Sequence, residues 1–134
     1  MCIRDRYFII YLTLVLSPLT FSDAKVYFIN IKDGDQVKSP FLLQFGLSGK
    51  GVAPAGTNRE NTGHHHLLID VDKIDLKTPI PSSENHIHFG GGQTESIIEL
   101  TPGTYSLQLV LGDMSHIPHN PAVISSKISV TVIQ

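Results

Sequence analysis

The 134-residue sequence contains one cysteine, no tryptophan and few charged side chains. Its only cysteine, Cys2, precedes the first apolar run. A chain cleaved after that run would have no disulfide and no thiolate ligand, so any metal would be held by nitrogen and oxygen. Charged residues make up 16% of the chain and the net charge is −2, which gives no reason to expect nucleic acid or an anionic membrane surface as a partner.

Helical periodicity is also absent, since no window of ten or more residues repeats its apolar positions at the spacing of a helix. Residues 41–47 and 104–111 instead alternate apolar and polar side chains, as half-buried strands do. Further short runs between Gly- and Pro-containing turns predict strands at residues 25–31, 64–71, 86–89, 96–100 and 123–133.

This succession of short strands predicts an all-β fold, a small antiparallel β-sandwich of immunoglobulin-like shape with long loops that carry histidines. The main alternative is a small barrel or jelly roll. Tyr105 lies in the most regular strand, residues 104–111, and is a candidate for a contact of the tyrosine-corner type. The cysteine pair of antibody domains is absent.

The N-terminus predicts a secretory signal sequence over residues 1–24. Arg4 and Arg6 precede an apolar run at residues 7–16, which is too short to span a bilayer as a stable helix. Ser22 and Ala24 are small residues at the two positions that a signal peptidase reads, so we expect cleavage after Ala24. The single domain 25–134 would then be periplasmic or secreted, without stable membrane insertion. An uncleaved membrane anchor is the alternative.

Histidine is absent from the first 63 residues, and all seven histidines then occur in three clusters. They are the triplet at 64–66, the pair His86 and His88, and the pair His116 and His119. Alternate residues of a strand share a face, so we expect His64 and His66 to point together and His65 to point the opposite way.

Convergence of these clusters predicts a site for copper or zinc, because imidazole nitrogen suits those ions and does not suit calcium or magnesium. Ligating imidazoles must be neutral, so binding is expected to weaken below about pH 6.5. Met114 could add a thioether to a copper ion. The predicted ligands are His64, His66, His86, His88, His116 and His119, with Glu95, Asp113, Gln93 and His65 around them as hydrogen-bonding neighbours.

Two other functions fit the same residues. The histidines could form a structural hydrogen-bond network that braces the long loops of an envelope adhesion or interaction module. They could also belong to a hydrolase or oxidoreductase in which Glu95 is the base beside a metal-bound water. No catalytic residue is otherwise predicted, and the glycines at 90–92 do not form a phosphate loop, since no lysine or long helix follows them.

Several long motifs resemble one bacterial family, the domain of unknown function 4399. They are Gly51-Val52-Ala53-Pro54-Ala55-Gly56, the segment Asn61 to Asp70 (NTGHHHLLID), the segment His86 to Glu95 (HIHFGGGQTE) and the segment Leu107 to Asp113 (LQLVLGD). The resemblance covers nearly all of the chain after residue 24. It implies a small exported bacterial domain and implies no activity.

Overall fold

The computed structural model describes residues 9–15 and 23–134, and within these ranges the regular secondary structure is entirely β. None of the residues described forms a helix of the length and apolarity that crossing a membrane requires. The strands are β1 (Lys25–Phe28), β2 (Gln36–Lys38), β3 (Phe41–Ser48), β4 (Gly51–Val52), β5 (Thr62–Ile69), β6 (His86–His88), β7 (Glu95–Ile98), β8 (Gly103–Gly112) and β9 (Ile128–Ile133).

The strands form two sheets. One has three strands in the order β1-β3-β7, and the other has six, in the order β2-β9-β8-β5-β4, with β6 also paired to β5. Most neighbours are antiparallel, as expected, whereas the short pairs β2–β9 and β4–β5 are parallel. Strand β5 therefore has β8 along one edge and both β4 and β6 along the other.

A single apolar core lies between the two sheets. It takes the inward side chains of β3, with Leu43 and Phe45 among them, and those of β8, with Leu107 and Leu109 among them. Strand β5 is unusual because seven of its eight residues are buried, so that both of its faces are covered. A second, smaller cluster of Leu68, Ile80 and Val110 covers the outer face.

The prediction of an all-β fold is confirmed, and the predicted tyrosine contact forms: the Tyr105 hydroxyl donates to the Thr101 carbonyl at 2.7 Å. The strand predicted over residues 123–133 is wrong in its first half, because β9 begins only at Ile128. Residues 123–127 follow Pro121 and make one isolated bridge, from Ile124 to Val110. Most of the predicted signal sequence, residues 1–8 and 16–22, lies outside the described residues.

Candidate metal centre

Strand β5 and its neighbour β6 bring the first histidines together. His64 and His66 point to the outer face of the six-stranded sheet, because the intervening His65 points into the core, where its ring centre lies 5.2 Å from that of Phe45. The antiparallel register pairs His66 with His88. That pairing places the His88 ring beside the two rings of β5.

A loop after β8 supplies the fourth histidine. The side chain of Asp113 shapes this loop by accepting the backbone N–H groups of Ser115 at 2.8 Å and Ile117 at 3.0 Å. His116 has a φ of 65°, in the left-handed region that few residues other than glycine adopt. Its carbonyl accepts the N–H of Ile80 at 2.7 Å. These bonds hold an unfavourable backbone conformation that directs the imidazole over β5.

The four imidazoles of His64, His66, His88 and His116 converge on one point. One nitrogen from each ring can be chosen so that all four lie within 4.8 Å of one another. The Nε2 atom of His64 is 3.0 Å from Nε2 of His66 and 3.0 Å from Nδ1 of His116. All six pairs of ring centres are separated by 4.5 to 5.8 Å.

Two glycines, which have no side chain, provide the space that the imidazole rings of His66 and His88 occupy. A Cβ atom on Gly112 would lie 2.7 Å from Nε2 of His66 and 3.3 Å from Cα of His116. A Cβ atom on Gly90 would lie 2.3 Å from Cε1 of His88. Glycine at these positions is therefore required by the close packing of imidazoles against the backbone.

Burial keeps the inner histidines neutral. His64 is 0% exposed and His66 is 1% exposed, whereas His88 and His116 are partly exposed. Desolvation, followed by the neighbouring histidines His88 and His116, lowers the pKa of His64 from 6.5 to about 4. Desolvation, followed by repulsion from His64 and the other two, lowers the pKa of His66 to about 3.

Hydrogen bonds leave much of this cluster unsatisfied. Nδ1 of His64, Nδ1 of His66 and Nε2 of His88 are all buried without a partner. In addition, Nε2 of His64 faces two other ring nitrogens, and a neutral imidazole has only one N–H to donate. An unsatisfied buried donor or acceptor costs about 1–3 kcal/mol, so burying these imidazoles destabilises the metal-free cluster.

Two of the six predicted ligands do not join the cluster. His86 is paired with Leu68, one row along the sheet from His66, and its Nδ1 lies 2.8 Å from the Ser83 hydroxyl. His119 packs at the end of β5, where its Nε2 lies 2.8 Å from the position that a Cβ atom of Gly63 would take. The cluster thus combines one histidine from each of the two later pairs with two from the triplet.

The predicted hydrogen-bonding neighbours also have different positions. Gln93 accepts the N–H of Gly91 at 2.9 Å, Glu95 is exposed on β7 of the other sheet, and His65 lies in the core. Glu95 therefore does not form the predicted pairing of a base with a metal-bound water. Burial lowers the pKa of His64, and the negative charge of Asp113 partly opposes this by raising it.

Sequence reasoning missed Gly112 and Ile80. Gly112 makes room for the ring of His66, and the Ile80 N–H holds the carbonyl of His116. A glycine at the end of a regular strand, immediately before Asp113, was a usable signal, because glycine in a strand often marks a close approach. Nothing in the local sequence identifies the role of Ile80, which depends on the path of the segment between β5 and β6.

The lowered pKa values predict how the metal-free protein responds to acid. His64, His65 and His66 bind protons in the unfolded chain near pH 6.5 but only near pH 3 to 4 when folded. Stability is therefore complete above pH 6.5 and lost as the pH falls toward 4, by up to about 1.4 kcal/mol per pH unit for each such histidine. Urea unfolding in the presence of a chelator, between pH 7.5 and 5, measures this slope.

The His86→Ala variant is the control for that experiment, since His86 lies outside the cluster and bonds to Ser83. It is expected to keep the slope of the parent protein. A free energy of unfolding that is the same at pH 7.5 and pH 5 would show that the buried imidazoles take up protons without unfolding.

Residues 43–133 match the protein family described as a domain of unknown function, DUF4399. The chain belongs to this family. The match spans β5, β6 and β8 and includes all four clustered histidines of the DUF4399 domain. Comparison with curated proteins and with solved structures found no match. The family description assigns no activity, so the function of this DUF4399 domain has to be argued from its own geometry.

Proposed function

We propose that this domain binds one transition-metal ion, copper or zinc, through His64, His66, His88 and His116, and that it does so without catalysing a reaction. The observation that carries the proposal is the convergence of four imidazole nitrogens within 4.8 Å from two strands and a loop. Imidazole is a preferred ligand of both ions, at about 2.0–2.1 Å for zinc.

Desolvation supports ligation by these residues. A histidine binds a metal only in its neutral form, and proton competition ordinarily weakens such sites near neutral pH. Here the pKa of His64 is lowered to about 4 and that of His66 to about 3, mainly by burial. Both imidazoles are therefore neutral at pH 7, and protons compete for the nitrogens of these two ligands only below the pH of about 6.5 expected from an ordinary histidine.

The second candidate function is a structural histidine network in an envelope interaction module. The two 3.0 Å contacts made by Nε2 of His64 favour it, since each has the length of a hydrogen bond. The unpartnered Nε2 of His88 argues against it, because a network that leaves buried nitrogens unsatisfied is less stable than an apolar core. An ion can accept one lone pair from every ring at once.

Export to the periplasm or the medium is part of the proposal. It rests on the basic and apolar pattern of residues 1–24 and on the small residues before the expected cleavage site. A domain that binds metal through nitrogen alone would also remain competent in an oxidising compartment, where thiolate ligands are lost to disulfides. Mass spectrometry of the protein recovered from a periplasmic fraction would locate its N-terminus.

Elemental analysis tests metal binding directly. Untagged protein, stripped with a chelator and then dialysed against zinc or copper(II), is expected to retain one equivalent of metal. Free zinc at a hundred times its dissociation constant should raise the free energy of unfolding by about 2.7 kcal/mol, seen as a higher melting temperature. Retention of no stoichiometric metal, with unchanged melting in both ions, would reject the proposal and leave the structural network.

A further inference from the structure

We infer that this site holds zinc in a complete tetrahedral shell of four imidazoles with no position for water. This inference rests on the proposed metal-binding function and specifies the ion and its coordination. The observation behind it is the mutual arrangement of four rings, those of His64, His66, His88 and His116.

The spacing of the rings agrees with a tetrahedral ion. A zinc ion about 2.0–2.1 Å from each nitrogen lies about 3.2 Å from each ring centre, so tetrahedral ligation separates all ring centres by about 5.2 Å. The six measured separations are 4.7, 4.9, 5.0, 5.0, 5.8 and 4.5 Å. Their spread brackets the tetrahedral value.

A square arrangement fits less well. With the same bond lengths it would give four sides of about 4.5 Å and two diagonals of about 6.4 Å. The pairs that would form the diagonals are His66–His116, at 5.8 Å, and His64–His88, at 4.9 Å. The second of these is as short as the sides, so the four rings are folded out of a plane.

This geometry distinguishes between ions. Copper(II) and nickel(II) prefer square-planar or tetragonal ligation, and copper(I) is selected by thiolate and thioether sulfur. The four clustered donors are all imidazoles, and Met114 is an exposed residue of the loop. Zinc has no geometric preference arising from its d electrons and is almost always tetrahedral in structural sites.

The shell is complete because four protein ligands already satisfy a tetrahedral zinc ion. Catalytic zinc sites keep three protein ligands and leave the fourth position for water. Here the fourth ligand is His116, which the bonds of its backbone to Ile80 and Asp113 hold in place. The carboxylate of Asp113 lies close enough to act on His64 electrostatically, so it also offsets part of the charge of a buried cation.

Cobalt(II) provides the test, since it replaces zinc and reports its own coordination. We expect the stripped, untagged protein to bind one equivalent of cobalt, to show the intense visible bands of tetrahedral Co(II), and to keep them when azide is added. Zinc should displace the cobalt fully at one equivalent. The His86→Ala variant is the matched control and should give the same spectrum, because its imidazole bonds to Ser83.

Each outcome separates this inference from the function on which it rests. Failure to bind cobalt, zinc or copper would reject metal binding itself. Stoichiometric cobalt with the weak bands of an octahedral ion, or tetrahedral bands that change with azide, would leave metal binding intact and reject the complete tetrahedral shell. In the His116→Ala variant we expect cobalt to bind more weakly and its spectrum to respond to azide, because the fourth position becomes open.

Discussion

Zinc binding is expected to be lost when His88 and His116 are both replaced by alanine. Structural zinc sites contribute about 10–16 kcal/mol in total, so each of four ligands accounts for about 3 kcal/mol. Removing two should therefore reduce the affinity by about ten-thousandfold or more, beyond detection of a stoichiometric complex. These two residues are partly exposed, unlike the fully buried His64 and His66, so the metal-free fold should survive. Competition titration against a zinc indicator measures the change.

The chain provides a closely matched control in the His86→Ala/His119→Ala variant. It removes one histidine from the same strand and one from the same loop, and neither belongs to the cluster. We expect it to bind one zinc ion with the affinity of the parent protein. If both double variants lost zinc affinity to the same extent, the zinc ligands would not be the four clustered histidines.

Replacement of Gly112 by alanine should also disable the site, without removing any ligand. The new Cβ atom would lie 2.7 Å from Nε2 of His66, a side chain that is 1% exposed, so the imidazole would have to shift. Displacing a ligand in this way is expected to weaken zinc binding about a hundredfold, the upper range found when the groups that orient ligands are removed. Isothermal titration calorimetry and circular dichroism together separate loss of affinity from loss of fold.

The Gly51→Ala variant is the control for this substitution. Gly51 is also a strand residue. A Cβ atom added to Gly51 would lie 3.6 Å from the nearest atom, in the Thr62 side chain, which is an ordinary van der Waals distance. Zinc affinity and secondary structure should both be unchanged there. If Gly112→Ala binds zinc normally, the rings of His66 and His116 must have a different arrangement around the ion from the one described.

Strands with a clear period of two were predictable from the sequence, and those without one were not. The alternation of apolar side chains identified β3 and β8 to within one or two residues at each end. Strands β2 and β4 have three and two residues, which is too short to show any period. The two faces of the triplet followed from strand geometry alone, and the structure places His64 and His66 together, with His65 opposite.

The choice between neighbouring histidines could not be made in this way. His86 and His88 share a face, and which of them meets His66 depends on how β6 is aligned with β5. That alignment is set by the preceding segment and by tertiary contacts, which cannot be predicted from the local sequence. His116 is placed by a left-handed backbone conformation and by the Ile80 N–H, both of which are consequences of the folded chain.

Because the three histidines of the triplet lie on two faces of β5, the metal site can form in only one register of β5 against β8. In the native pairing, His65 is opposite Leu111 and His66 is opposite Val110. A slip of β5 by one residue would reverse every side chain, burying two imidazoles between the sheets and leaving one outside. Three adjacent histidines look interchangeable in sequence, yet a bound ion would stabilise only one of the two alignments. Zinc present during folding should therefore suppress slipped species, in addition to stabilising the finished domain.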